Sequence, residues 1–369
     1  MKSSTLPTHA LPPLAEPLRS ELTDTQAPAG ATTITQTRVI AAPRELVWTA
    51  WTDPLQLGQW WGPKGFSVTT RLFEFRAGGS WQFTMHGPDP DPQSKNPGGP
   101  RDFPNHIVYD AIDRSEDTWR IEYHHVSADG MAPMHFQSVV TFEATTVEGR
   151  PATRLVLFSD FGNEAFRDQL IRDYGAAQGG RETLARLANH TEGDGLTATQ
   201  AALGHRLVLT RELAAPRALL WRCWTEPELI KQWFCPQPWQ VTEVDNDLRP
   251  GGRANNVMEG PGPDGQPMRN VNTGSYLEVI PGEKLVFTNL LLEDWTPNTP
   301  QMFSFTATVL FEDAGEGRCR YTAICKHADA AGQEQHDRMG FHEGWGTATD
   351  QLVALAQLLV DATSGVSHH

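Results

Sequence analysis

The chain has 369 residues, enough for two domains of roughly 150 residues each. Hydrophobic residues make up 39% of it and charged residues 20%, a composition typical of a globular protein with material for a core. Its 30 basic and 45 acidic side chains give a formal charge of −15, which argues against general binding to nucleic acids or anionic membranes.

The N-terminal segment is interrupted by Pro7, Pro12, Pro13 and Pro17, so it lacks the apolar run of a secretory signal. We expect residues 1–32 to be a disordered, proline-rich tail. No later run reaches the ~18 apolar residues that a membrane span needs. The four cysteines all lie in the second half and form no C-x-x-C pair. We therefore expect no disulfide framework, no zinc site and a cytoplasmic location.

The first predicted element is a strand over TITQTRVI, in which apolar and polar residues alternate. The proline of the following AAPR lies in the first turn of a predicted helix, where its missing N–H costs no hydrogen bond. Val47, Trp48 and Trp51 share one face of that helix and are predicted to lie in the core. Thr52–Pro54 then ends the helix and starts a second short one, which ends at Trp60–Trp61.

This tryptophan-rich segment occurs twice. Thr37–Trp61 and Thr210–Phe234 are identical at 13 of 25 positions without a gap, at an offset of 173 residues. The same offset superposes RAGGSW at 76–81 on RPGGRA at 249–254. Self-similarity at so long a period indicates a duplicated domain and not a solenoid of short repeats.

Each copy continues with strands joined by turns rich in glycine and proline. The strands are predicted near 106–112, 118–126, 134–143 and 153–159, and again near 273–280, 284–292, 302–312 and 318–326. A helix closes each copy, after Gly179–Gly180 in the first and with a stripe of Trp345, Leu352, Leu355 and Leu359 in the second. This order of elements predicts an α+β domain.

The expected organisation has five parts. A tail covers residues 1–32, domain one 33–190, a linker 191–203, domain two 204–362 and a second tail 363–369. The linker is placed where TEGDGLTATQAAL is polar, small and glycine-containing.

These residues resemble the START-like, helix-grip superfamily, also called SRPBCC. More narrowly, they resemble the family named after the C-terminal domain of the activator of the heat-shock-protein-90 ATPase. The matching signature is A-x-P-x-x-x-V/L-W-x-x-W-T-D/E-P-x-x-x-x-x-W-W/F, then R-x-G-G, then M-x-G-P, in both copies. The resemblance implies two tandem helix-grip domains. Each would have a curved antiparallel sheet around a long C-terminal helix, with two short helices after the first strand.

The resemblance also implies a hydrophobic cavity in each domain that binds an apolar small molecule. One alternative is an enzyme of cyclase, hydrolase or isomerase type that acts on an apolar ligand in one cavity. Another is a co-chaperone-like or regulatory interaction module. A chaperone partner is disfavoured because residues 1–32 do not resemble the extra N-terminal domain of the eukaryotic co-chaperone. We expect no cofactor and no metal, and the two domains could pack as an intramolecular pseudo-dimer.

Aromatic residues at helix ends and on strand faces are the predicted ligand contacts, because tunnel mouths form where helices end. The predicted contacts are Trp60, Trp61, Trp81, Phe83, Trp119, Tyr123, Trp233, Phe234, Asn256 and Met258. Copy two has Ala254 and Asn256 where copy one has Trp81 and Phe83. We therefore predict a roomier and more polar cavity in copy two.

Three side chains are candidate acid–base groups, namely His125, His135 and Glu259. His125 is predicted to share a strand face with Trp119 and Tyr123, where it could orient or deprotonate a ligand. The alternative, a buried histidine satisfied by the backbone, is favoured. No histidine pair has the helical i, i+4 spacing of a zinc protease, so no metal site is predicted.

Overall fold

A computed structural model describes residues 22–88, 102–115, 119–126, 136–192, 205–262, 264–299 and 304–365. In the first domain the helices are α1 (Arg44–Thr52), α2 (Pro54–Trp60), α3 (Glu164–Tyr174) and α4 (Ala176–Thr191). Its strands are β1 (Asp24–Gln26), β2 (Thr33–Ile40), β3 (Ser67–Phe73), β4 (Ser80–His86), β5 (Asp102–Arg114), β6 (Trp119–Val126), β7 (Gln137–Val147) and β8 (Arg150–Asp160).

Among the described residues, the second domain starts at the counterpart of β2 and has two strands where domain one has the single strand β5, and the order is otherwise the same. Its helices are α5 (Arg217–Thr225), α6 (Pro227–Ile230), α7 (Ala330–Arg338) and α8 (Phe341–Gly365). Its strands are β9 (Arg206–Leu213), β10 (Gln240–Asn246), β11 (Ala254–Pro261), β12 (Pro267–Asn272), β13 (Ser275–Ile280), β14 (Lys284–Thr288), β15 (Thr306–Asp313) and β16 (Cys319–Lys326).

Thirteen strands form one antiparallel sheet, in the order β1-β2-β8-β7-β6-β5-β4-β3-β9-β16-β15-β14-β13. The other three form a separate sheet, β10-β11-β12, which is bridged to β13 between Arg253 and Ser275. In each domain the two short helices and the long last helix pack on the sheet around a core of buried aromatic and aliphatic side chains. The predicted α+β class with tandem helix-grip domains is confirmed.

The twin-helix motif forms for the local reasons that its sequence indicates. Pro54 is the first residue of α2, and the Asp53 carboxylate caps that helix by accepting from the Leu55 amide at 2.9 Å. The Trp60 indole N–H donates to the carbonyl of Ala50 at 2.8 Å, which locks the two helices together. Trp48 lies 6% exposed, within a cluster of aromatic rings. The prediction of a core role for it is confirmed.

The glycine pair of each copy makes the same tight turn. Gly78 and Gly251 have φ of 73° and 78°, in the left-handed region that glycine adopts without strain. A Cβ on the second glycine of either pair would collide with a backbone carbonyl oxygen, that of Glu74 for Gly79. The pairs are therefore structural turns that lead into β4 and β11.

Two boundaries and one pair of helices differ from the sequence prediction. Residues 22–32, predicted as disordered tail, contain β1, and the Arg167 guanidinium donates to the carbonyl of Pro28 at 2.6 Å. Each copy has a helix before the last one, α3 or α7, that the sequence did not indicate because its apolar face is short. Helix α8 runs to Gly365, past the predicted boundary at 362.

The two domains contact each other through different elements. The end of β3 pairs with β9, with Leu72 opposite Arg211 and Phe73 opposite Thr210. The Arg211 guanidinium pairs with Glu74 of domain one and, at 2.6 Å, with Asp350 of α8. Because each domain uses a different edge of its sheet, the contact is head to tail. The two domains therefore do pack on each other within the chain, through a contact that is not two-fold.

Candidate functional site

Domain one contains a cavity of about 550 Å³ between its sheet and helices α3 and α4. Its wall is mainly aromatic, from Trp61, Phe83, Phe103, Tyr123, Phe136 and Phe161. The polar groups of the wall are the imidazole of His125 and amides and hydroxyls, among them those of Gln36, Asn105, Ser138, Ser159, Gln169 and Thr183. Such a volume, with a few polar groups on apolar walls, is typical of a small-molecule site.

Domain two contains a corresponding cavity of about 430 Å³ between its sheet and helices α7 and α8. The aromatic wall comes from Trp224, Trp233, Phe234, Phe287, Phe305, Phe341 and Trp345. Polar groups come from asparagine and threonine side chains, among them Asn256, Asn272 and Asn289, and from His336. Among the described residues, neither cavity is lined by an aspartate, glutamate, lysine or arginine.

The buried histidines and Tyr123 on these walls are held uncharged. His125 stacks on Phe136, with ring centroids 3.9 Å apart, and burial together with nearby His124 lowers its pKa to about 3. Burial raises the pKa of Tyr123 to about 12, and burial lowers the pKa of His336 to about 3. At neutral pH both walls therefore present polar but uncharged groups, within the part of the chain that the structure describes.

Cavity two is smaller than cavity one, so the predicted roomier cavity in copy two is wrong. An offset of 165 residues aligns the last helices, since Gly175 and Gly340 both have positive φ just before α4 and α8. Phe341 and Trp345 then lie where α4 has Ala176 and Gly180, one helical turn apart on the same face. Both aromatic rings line cavity two, whereas the wall of cavity one has only Ala176 and Gly180 at these places.

Ala254 lines cavity two, but its equivalent in domain one, Trp81, is not part of the wall of cavity one. Its ring stacks on Phe83 at 3.8 Å and lies 1% exposed in the core, and its indole N–H donates to Thr70. Trp81, whose equivalent in domain two is the smaller Ala254, is therefore part of the core of domain one. In cavity two the small Ala254 is accompanied by the large Phe341 and Trp345 of the last helix, and this cavity is the smaller of the two.

The structure brings most of the predicted ligand contacts to the cavity walls. Trp61, Phe83 and Tyr123 line cavity one, and Trp233, Phe234, Asn256 and Met258 line cavity two. Trp60 lies in the core, held by the Ala50 carbonyl. Trp119 also lies in the core, with Trp48 at 5.3 Å, and the guanidinium of Arg44 lies over its ring.

The acid–base candidates have separate positions. His125 lines cavity one. Glu259 lies on β11 with its side chain 45% exposed, paired with Arg269 at 3.2 Å, and it does not line cavity two. A carboxylate that is partly exposed, paired with an arginine and outside the cavity wall is not placed to act on a buried ligand. His135 lies outside the described residues.

A pair of histidines in domain two was missed by the sequence reasoning. His327 Nδ1 lies 3.3 Å from the His205 carbonyl, which can only accept, so this nitrogen carries the proton. His327 Nε2 then accepts from His336 Nδ1 at 2.9 Å, and Nε2 of His336 is its unprotonated nitrogen. The two residues are nine apart in sequence and on different elements, so no local spacing indicates the pair.

Arg186 of α4 holds the loop that forms one side of cavity one. Its guanidinium donates to the carbonyls of Gly62, Pro63 and Phe66 at 2.8–3.0 Å. At the equivalent place in α8, Gln351 donates to the carbonyls of Trp233 and Cys235 at 2.8 Å. The long helix of each domain thus fixes the loop after the second short helix with one side chain.

We expect Arg186→Ala to lower the free energy of unfolding by about 2–3 kcal/mol, because charged hydrogen bonds to several carbonyls are lost at once. Chemical unfolding followed by tryptophan fluorescence measures it. Arg181→Ala is the matched control, since the Arg181 guanidinium donates to Gln178 on the same helix and its loss should change little. Equal effects of the two substitutions would contradict a role for Arg186 as the anchor of the loop.

Two features are absent from the described residues. No helix there is long and apolar enough to cross a membrane. No group of three or more histidine, cysteine, aspartate or glutamate side chains there is arranged to hold a metal ion. The four cysteines are free and buried.

The chain is similar to known proteins over each domain. No curated protein matches it. A solved structure from Nitrosomonas europaea is 40% identical and covers 42% of this chain and 96% of its own, with a TM-score of 0.39. One from Mycobacterium smegmatis is 31% identical, covering 41% of this chain and 89% of its own, with a TM-score of 0.35. The di-domain ARO/CYC StfQ from the steffimycin biosynthetic pathway is 16% identical, covering 90% of this chain and 99% of its own, with a TM-score of 0.31.

A family model matches the chain twice. The model described as Activator of Hsp90 ATPase homolog 1-like protein matches residues 41–192 and residues 214–357. Each match begins just before α1 or α5 and extends into the last helix of the domain. The chain therefore belongs to the Activator of Hsp90 ATPase homolog 1-like protein family, and it contains two domains of that family in tandem.

Proposed function

We propose that each domain binds one uncharged, largely aromatic small molecule in its cavity. The observation that carries this proposal is the wall chemistry, aromatic rings with scattered amides and hydroxyls and no charged side chain among the described residues. An ionised ligand would lose its hydration inside such a cavity without gaining a partner, which costs several kcal/mol. A neutral ring system loses little and gains burial and stacking.

The polar groups of the cavity walls are better suited to ligand binding than to proton-transfer catalysis. A general base works best with a pKa near the operating pH, and burial holds the pKa values of His125 and His336 at about 3. These histidines are suited to accept or donate a hydrogen bond and not to take up a proton at neutral pH. We further propose a cytoplasmic location, with which the four free, buried cysteines are consistent.

A pair of fluorescent probes tests the charge requirement. N-phenyl-naphthylamine is neutral, whereas anilinonaphthalene sulfonate has the same ring system with an added sulfonate. We expect the neutral probe to bind at least about tenfold more tightly, measured by fluorescence titration at neutral pH, because the sulfonate would be buried without a partner. Equal affinities for the two probes, or failure of both to bind, would contradict the proposal.

Filling cavity two provides a variant that blocks binding without unfolding the domain. Gly344 lines that cavity on α8, and a Cβ built on it has no atom within 4 Å. Gly344→Leu should therefore place its side chain in the cavity. It should also raise the free energy of unfolding by about 0.8 kcal/mol, from helix propensity. We expect loss of one probe site with an unchanged or higher unfolding midpoint, and retention of both sites would count against cavity two as a binding site.

A further inference from the structure

The first strand of each domain has a short antiparallel strand on its outer edge. In domain two, β3 of the other domain covers β9, with Phe73 opposite Thr210. In domain one, β1 covers β2, with Asp24 opposite Thr37. Thr37 and Thr210 are equivalent at the repeat offset of 173 residues, so β1 and β3 both run antiparallel to the first strand of a domain and share this one paired position.

An equivalent arginine lies on the first strand of each domain, beside the covered edge. Arg211 of β9 reaches across the contact to Glu74, which follows β3. Its equivalent in domain one is Arg38 of β2, which is 2% exposed and donates to the Thr23 hydroxyl at 3.1 Å. The N-terminal segment thus occupies on domain one the place that a neighbouring domain occupies on domain two.

The strand equivalent to β3 in domain two is β10, which lies at the end of its sheet among the described residues. Asp247 follows β10 as Glu74 follows β3, with the same backbone hydrogen bonds. The Asp247 amide donates to Arg253 and that of Glu74 to Ser80, and each carbonyl accepts from the arginine two residues on. The chain therefore has both surfaces that a second head-to-tail contact would need. One is the outer edge of β2 with Arg38, and the other is the outer edge of β10 with Asp247.

We propose that the outer edge of β2 is a docking site for a second copy of this chain, and that β1 covers it. The incoming element is β10 of the second copy, in the register that β3 takes on β9, with Asp247 of that copy on Arg38. Charge complementarity and continuity with the contact inside the chain select this occupant. β1 is only three residues long, and Asp24 and Gln26 are exposed, so it covers the edge with little buried apolar surface.

Release of β1 in the full-length chain tests the proposal. Asp24→Pro with Thr25→Pro removes a ladder hydrogen bond whichever of the two neighbouring amides faces β2. We expect the variant to form dimers and longer species as its concentration rises, and the unaltered chain to remain monomeric, by size-exclusion chromatography with light scattering. Adding Asp247→Arg should return the variant to a monomer.

Amide exchange of residues 35–38 reports whether β1 has left β2. If the prolines leave it in place, deletion of Thr23–Gln26 from the otherwise complete chain gives the released state. A released chain that stays monomeric at every concentration overturns the proposal. Association that persists with Asp247→Arg also overturns it, because the contact would then use another surface.

Discussion

Arg211→Ala is expected to lower the free energy of unfolding by about 3–5 kcal/mol, since it removes one partner from a largely buried ion network. The Arg211 side chain is 16% exposed and that of Glu74 10%. Without the guanidinium, the Glu74 carboxylate at the domain contact is left without its partner from domain two. We also expect the two domains to unfold in separate steps, because Arg211 connects β9 to Glu74 and to Asp350.

Differential scanning calorimetry and urea unfolding measure both effects. Arg154→Ala is the matched control, because the Arg154 pair with Glu143 is close at 2.7 Å but about half exposed on both sides. The control should cost about 1 kcal/mol or less. The double variant Glu74→Ala with Arg211→Ala should be less destabilised than the sum of the single variants. Simple additivity would show that the two side chains do not act as a pair.

Acid is expected to destabilise the protein steeply between pH 6.5 and about pH 4. Burial lowers the pKa of His125 and His336 to about 3 and, with the charge of Arg76, that of His342 to about 4. In the unfolded chain these histidines take up protons below their ordinary pKa of 6.5, whereas the folded chain keeps them neutral. The unfolded state binds more protons throughout this window, so the free energy of unfolding falls as the pH falls.

The expected slope is about 1.4 kcal/mol per pH unit for each histidine. Urea unfolding at a series of pH values measures it. His125→Phe keeps the stack on Phe136 and removes one titrating group, so its stability should fall less steeply with acid than that of the unaltered chain. His124→Phe is the comparison, since the His124 side chain is 33% exposed and pairs with Asp110. An unchanged slope in His125→Phe would contradict burial of a neutral histidine at that position.

Features coded by neighbouring residues could be predicted from the sequence. The two-domain duplication follows from a repeat that can be read directly in the chain. The twin helices follow from a proline, a capping aspartate and the helical spacing of tryptophans, each a signal that acts within about two helical turns. The structure confirms them because such signals need no contact with a distant segment.

The cavity depends on contacts between distant segments, which local patterns do not contain. Trp60 and Trp61 are neighbours, yet Trp60 is held in the core by Ala50 while Trp61 faces the cavity. The wall of each cavity includes the residue that begins the last helix, Ala176 or Phe341, which lies more than 100 residues along the chain from the aromatic pair of its domain. Comparison of the two last helices in the sequence would have indicated this, because Gly180 aligns with Trp345.

Local sequence patterns also could not predict the contact between the domains. The residues of β3 and β9 that pair are more than 130 apart, and a duplication favours a two-fold contact before other arrangements. The Arg38 and Arg211 equivalence is visible in the alignment of the copies. The role of these arginines depends on which strand covers the edge beside each of them, and this follows from the fold and not from the alignment.

The number of neutral probe molecules bound per chain tests the central claim, one uncharged ligand per cavity, most directly. Ala176→Phe should fill cavity one as Phe341 fills part of cavity two, and Gly344→Leu should fill cavity two. Asn189→Phe, at an exposed position of α4, is the control for an added ring.

Equilibrium dialysis with N-phenyl-naphthylamine should find two sites in the unaltered chain and in the control. It should find one site in each cavity variant and none in the double variant. Folded cavity variants that bind as many molecules as the unaltered chain would contradict the assignment of the ligand to these cavities.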